Sequence, residues 1–256
     1  MQILSRSVKI AVYTGLTLKA SEVEALLPGA SVRPPVKQFD VLRDIQAGFH
    51  VVVIIDGVFH QTPAVSPSEI MDALRRGLLV YGCSSMGALR AAELCDYGMR
   101  GHGAIFEWVR DDPAFRDDFP GQIFTREGAE IRALSITYVD FVFNLRQLAE
   151  QGRLSAGDQR FLEQTFRNIY YPERTVGALV AALKPTRPEL IPIAKTALTE
   201  LGSQKRRDAL ATLERVHADL TALQQLNREL TGAADSPKRA PAKSRAPRKE
   251  AKHAHG

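Results

Sequence analysis

The sequence predicts an α/β fold, a mostly parallel sheet flanked by helices and followed by a helical C-terminal region. Three observations predict it. Short, mostly apolar segments at residues 9–13 (KIAVY), 51–55 (VVVII) and 78–82 (LLVYG) read as strands, and VVVII is too continuously apolar to have a wet face, so that strand is buried on both sides. Each is followed by a turn and then a helical pattern, an alternation that builds parallel sheets with helices on both faces. Beyond about residue 103 the strand pattern stops and helical patterns fill the chain.

The first strand ends at the turn-prone Thr14-Gly15. The helical pattern SEVEALL at residues 21–27 follows, with Ser21 placed to cap it, Glu24 three residues on, and Pro28-Gly29 closing it. Residues 40–47 repeat the helical grammar and stop at Gly48. After the second strand, Asp56-Gly57 makes a turn. Ser66-Pro67-Ser68-Glu69 then combines a capping serine, a proline with preset φ at the first helical position and a glutamate at the third. This predicts a helix over 67–76, stopped by Gly77. After the third strand a helix is expected over 85–97, ended by Gly98. Helical patterns follow at 105–109, 131–151, 156–169, 175–183, 188–201 and 204–230. In the last of these Leu213, Val216, Leu220, Leu223, Asn227 and Leu230 recur at spacings of 3 and 4, and packing back on the domain is the expected use of that seam.

Composition bounds the function. The chain has 256 residues, 45% hydrophobic and 25% charged, enough for a sizeable core. No apolar stretch approaches the ~20 residues of a membrane span, and the amino terminus lacks the pattern of a secretion signal. Cys83 and Cys95 form no CxxC or Cys/His pattern, so neither a disulfide framework nor a metal site is expected, and a cytoplasmic setting is. The formal charge of +5 belongs to the tail, where residues 232–256 hold seven Lys or Arg against two acidic residues. That composition predicts a disordered basic tail, with at most weak, salt-sensitive contact to nucleic acid. The expected division is an α/β core over 1–115, a helical region packed on it over 116–231, and the tail over 232–256.

Sites in open parallel sheets form outside the carboxyl ends of the strands. Three segments reach that edge: Thr14 to Leu18, Asp56 to His60, and Cys83 to Gly87. The third places serines at a sharp turn opening a helix, where Ser85 or Ser84 is a candidate nucleophile and the N–H groups of Met86 and Gly87 are candidate oxyanion donors. The spacing is not G-x-S-x-G, and a simple capping role is the competing reading. Lys37, on a connecting loop, and His60, four residues beyond Asp56, are the candidate bases. The turn after the first strand could cradle a phosphate, although it has one glycine and no lysine.

The segments IIDGVF (54–59), GCSSMGALRAAEL (82–94) and YGMRGHGAIFEWVRD (97–111), with RPP (33–35) followed by Asp40, resemble the TfuA family, first named for trifolitoxin production. The resemblance spans about residues 9–115. It implies a cytoplasmic accessory protein of peptide-backbone thioamidation, working beside a YcaO enzyme on a peptide substrate. It further implies release of sulfide from a thiocarboxylated ThiS-like sulfur-carrier protein through a hydrolase-like Ser-Lys pair, with no cofactor of its own. Carried over residue by residue, the nucleophile is Ser85 or its neighbour Ser84, and Asp56, Gly57, Met86, Gly87, Arg90 and Glu93 complete the substrate site. Three positions depart from the family pattern: Ser68 stands where members carry lysine, Phe39 where glycine precedes the aspartate, and Leu16 in the first turn. A hydroxyl has no useful proton affinity at neutral pH. Either Lys37 or His60 therefore replaces the lysine, or the chain is a non-catalytic adaptor for the YcaO enzyme or its substrate. A nucleotide- or anion-binding domain is the third reading.

Overall fold

The computed structural model describes residues 8–59, 62–127 and 130–230. Five strands form one parallel sheet: β1 (Ile10–Tyr13), β2 (Ser31–Arg33), β3 (Val51–Ile54), β4 (Leu79–Gly82) and β5 (Arg100–Gly101), in the spatial order β2-β1-β3-β4-β5. The intervening helices are α1 (Ala20–Leu26), α2 (Asp40–Gln46), α3 (Pro67–Arg75) and α4 (Met86–Leu94). The three apolar runs are the central strands. The two edge strands escape the hydrophobic reading because SVR and RG are short, polar and only partly buried.

The Ser66 cap forms as expected, its Oγ accepting from Glu69 N–H while Glu69 Oε1 accepts from Ser66 N–H. The cap of α1 differs: Lys19 N–H donates to Glu22 Oε2, so the helix starts earlier than Ser21. Helix α4 ends at Leu94 and a single 3-10 turn, Cys95–Tyr97, follows.

Beyond the sheet come α5 (Ala104–Asp111), α6 (Tyr138–Glu150), α7 (Ala156–Arg167), α8 (Val176–Leu183), α9 (Ile191–Thr199) and α10 (Gln204–Leu230). One expectation fails here. The helical pattern assigned to 131–151 begins only at Tyr138, and Glu130–Ala133 is a strand, β7, paired antiparallel with β6 (Phe124–Glu127). Thr137 caps α6 by accepting from Asp140 N–H, which fixes the true start.

The two faces of the sheet are covered differently. Tyr13, Val52, Ile54 and Val80 face a layer that includes Val41, Ile70, Ala88 and Ala91 and runs on into the helical region through Val139, Phe141, Leu145 and Phe166. Val12, Val51, Val53, Ile55 and Tyr81, the alternate positions, face α1 (Val23) and α10 (Ala209, Leu213, Val216). The seam read along the last helix is therefore spent largely on its own sheet, although Leu223 and Leu226 stay exposed beyond it. No helix among the described residues is long and apolar enough to cross a membrane.

Candidate functional site

In the order 2-1-3-4-5 the chain winds outward in opposite directions from β1 and β3, so the loops leaving their carboxyl ends part and open a crevice between them. Asp56 stands at that point, two residues beyond β3 and almost entirely buried. Its Oδ2 accepts from the N–H groups of Gly15 (2.8 Å) and Thr17 (3.1 Å), and its Oδ1 accepts from Thr17 Oγ1 (2.7 Å) and Ser85 Oγ (3.0 Å). The amides of the first turn, expected to cradle a phosphate, are thus turned onto this carboxylate. A buried carboxylate requires such donors, and the turn supplies them from the chain itself.

Ser84 and Ser85 divide the turn between them. Ser84 takes φ 67°, a left-handed conformation that a non-glycine residue adopts only under constraint. Its side chain is fully buried, and its Oγ has no hydrogen-bond partner among the described residues. Ser85 instead presents its hydroxyl to Asp56 and to the carbonyl of Ile55 (3.1 Å). It precedes α4 without capping it, its Oγ having been drawn away to the aspartate. The helix is held close by glycine. A Cβ on Gly87 would lie 1.8 Å from Ile54 O, and one on Gly82 would lie 2.2 Å from Gly87 O. These two glycines let the first turn of α4 press on the ends of β3 and β4, which is why the hydroxyl of Ser85 reaches Asp56.

Of the two expected oxyanion donors, Gly87 N–H is directed at Ile55 O, at 3.4 Å. The Met86 N–H, first in the helix, has no acceptor among the described residues, and Met86 borders the open space.

That space is a cavity of about 240 Å³. Its floor is Asp56, Gly57, Ser85 and Met86 from the sheet edge. Its walls are Phe59, Tyr171 and the segment Pro120 to Phe124, with Ile131 of β7 and Lys205 of α10 completing the enclosure. The hairpin and the helical region therefore build half of the site, and sequence reading placed neither there. Lys205 is the one cation among the described lining residues. Its side chain is 7% exposed and its Nζ lies 3.9 Å from Asp56 Oδ1. The Lys205 backbone N–H donates to Asp140 Oδ1, whose carboxylate also accepts from Ser203 Oγ, so the cap of α10 sets where the ammonium stands.

Of the two expected bases, only Lys37 falls among the described residues, and it does not reach the cavity. Lys37 is exposed and does not line the cavity, because Lys37 N–H is held by Asp40 in the short turn entering α2. His60 lies outside the described residues, as does the basic tail. Arg90 and Glu93 bind one another, and Arg90 Nε also donates to Val65 O, pinning the loop before α3 rather than reaching the cavity. Ser68, at the first turn of α3, is exposed, with its Oγ 2.9 Å from Ser66 Oγ. The sequence signal that could have found Lys205 is weak: a lysine at the second position of a long helix, where a basic residue is unfavourable to the helix dipole and so calls for another reason. No group of three or more His, Cys, Asp or Glu side chains among the described residues is arranged to hold a metal ion.

Comparison with curated proteins gives no match. The family model described as TfuA-like protein matches residues 56–175, the stretch that opens with Asp56 and contains the Ser84-Ser85 turn, the hairpin and Tyr171. Residues 56–175 of this chain are a TfuA-like protein domain.

Proposed function

We propose that the chain supports YcaO-dependent thioamidation of a peptide backbone by hydrolysing the thiocarboxylate of a ThiS-like sulfur carrier, with Ser85 as nucleophile. The observation that carries this reading is the Ser85 hydroxyl, bordering the cavity and donating to the buried carboxylate of Asp56 at 3.0 Å. A serine attacks well only when a positioned base receives its proton. With Lys37 turned to the surface, Asp56 is the ionisable group among the described residues that accepts from that hydroxyl, beside the Ile55 carbonyl.

In the first step Ser85 Oγ bonds to the thiocarboxylate carbon, and the proton passes by way of Asp56 to sulfur. The substrate is already an anion, so sulfur leaves as hydrosulfide only if it receives that proton. The C–S bond breaks and an acyl ester remains on Ser85. Water then attacks the ester carbon with Asp56 accepting one proton and returning it to Ser85 Oγ as the ester C–O bond breaks, and the carrier acid gives its remaining proton to solvent and leaves as the carboxylate. The free Met86 N–H at the start of α4 suits the oxygen that gains charge in both steps. The cavity supports the substrate assignment in size, since it admits a narrow carboxyl-terminal tail and not a folded domain.

The test is sulfide release from a thiocarboxylated carrier by the purified protein. Ser85→Ala is expected to lower the rate by at least about 10³-fold, as loss of a nucleophile usually does, with Asp56→Asn also severely impaired and Ser84→Ala near normal. Release that survives Ser85→Ala removes the nucleophile assignment. A protein that binds the carrier and releases nothing is the adaptor instead.

A further inference from the structure

The proposed substrate is an anion, and the carboxylate beside Ser85 repels it. Placing a second negative charge on the same carbon during attack makes the repulsion worse. A site built for this purpose needs a positive charge near the reacting group, fixed rather than waving in solvent. The TfuA-like stretch contributes no cation to the described cavity lining. We infer that Lys205, delivered by the C-terminal helix from outside that stretch, is the receptor for the anionic end of the ligand, so that α10 is part of the binding site. This inference rests on the functional reading for the identity of the ligand, while the anion-binding claim can be tested without turnover.

Four observations place the charge. The Nζ of Lys205 lies 3.9 Å from Asp56 Oδ1, the oxygen that also accepts from Ser85, so hydroxyl and ammonium share one neighbour. That distance is too long for a hydrogen bond, and none from the Lys205 Nζ is present among the described residues, which leaves its donors available to a ligand. The side chain is 7% exposed overall yet borders the cavity, so its charge is directed inward. Its origin is anchored on both sides, since Lys205 N–H is capped by Asp140 and one turn later Asp208 accepts from Ala104 and Ile105 N–H.

A peptide carboxylate or thiocarboxylate entering the cavity would meet the Lys205 ammonium with one heteroatom, leaving its carbon to Ser85. The residue is assigned binding of the anion and not proton abstraction, because the Ser85 hydroxyl donates to Asp56 and not to Lys205.

The test uses the full chain carrying Ser85→Ala, which binds without turnover, titrated by calorimetry with a short glycine-ended peptide as its free carboxylate and as its amide. The expected result is at least tenfold tighter binding of the carboxylate form, a preference that Lys205→Met abolishes and Lys205→Arg partly keeps. Equal affinity for the two forms overturns the inference whether or not Lys205→Met folds, and so does a preference that persists in a folded Lys205→Met protein. In the protein with Ser85 intact, Lys205→Met is expected to raise KM for the thiocarboxylated carrier more than it lowers kcat. If Ser85→Ala leaves sulfide release intact while the carboxylate preference depends on Lys205, the hydrolase reading fails and the anion receptor stands.

Discussion

Phe39 sits at the entry to α2 with φ 72° and ψ −3°, and the residue is 54% exposed. A non-glycine residue in the left-handed region gives up about 1–2 kcal/mol, and glycine returns some of that gain as chain entropy in the unfolded state, about 0.5–1 kcal/mol. The glycine implied at this position by the family resemblance thus has a backbone cause. Phe39→Gly is expected to stabilise the protein by about 0.5–1 kcal/mol, read as a higher denaturant midpoint with an unchanged slope. A lower midpoint would mean that the ring packs more than its exposure indicates. At the same scale Asp56 and Ser85 were accessible to sequence reading because each follows an apolar strand, and a strand's end is a local property. Their division of labour was not. Ser84 and Ser85 are adjacent and chemically identical, and only the backbone angles at the turn decide which hydroxyl is buried and which meets Asp56.

Among the elements, α10 and the β6-β7 hairpin differ most from what local pattern conveys. The hairpin was missed because Ile131 and Leu134 fall in register with the helical pattern that truly starts at Tyr138, and no turn signal marks the break until Ser135 and Thr137. The limits of α10 were legible, whereas its ties were not. Arg206 pairs with Glu22 of α1, and Arg100 and Tyr81 reach Asp219. Hydrogen bonding from Arg206, and after it from the Lys19 N–H, holds the Glu22 carboxyl at about 2 against an ordinary 4.5. A carboxyl depressed on folding contributes stability above pH 4.5 and loses it as the pH falls toward 2. The pair is half in solvent, so its worth at neutral pH is expected to be under about 1 kcal/mol. The stability difference between the wild type and Glu22→Gln should therefore be small and positive at pH 6, shrink as the pH falls below 4.5, and vanish only below about pH 2. A difference that stays flat across that range would show that the pairing does not depend on the ionised carboxylate.

For the whole molecule, α10 is both the second cover of the sheet and the source of the cavity's cation. Leu213 and Val216 are fully buried against Val12, Val53, Ile55 and Tyr81, each contributing about 1.5–3 kcal/mol by burial. Set against a usual total of about 5–15 kcal/mol, their loss together with that of Ala209 is decisive. A chain truncated after Ser203 is expected to lose its cooperative unfolding transition and expose the sheet face, followed by near-ultraviolet circular dichroism and dye binding. Cooperative unfolding at an unchanged midpoint would show that the helix is only an appendage. The same continuity makes deletion of the helical region a poor test of partner binding, since one core cluster runs from Ala11 through Phe141 and Leu179 to Ala197.

The sequence by itself determined the α/β class, the three central strands, the capped helix after Ser66, and the placing of Asp56 and Ser85 at the sheet's carboxyl edge. These follow from period, turn chemistry and capping, which act between residues a few positions apart. Tertiary structure alone decided the order of the five strands, the hairpin that walls the cavity, and the pairing of Asp56 with Lys205. Each depends on segments far apart in the chain settling against the same apolar surface, and burial is non-directional, so no local pattern records which surface a helix will find.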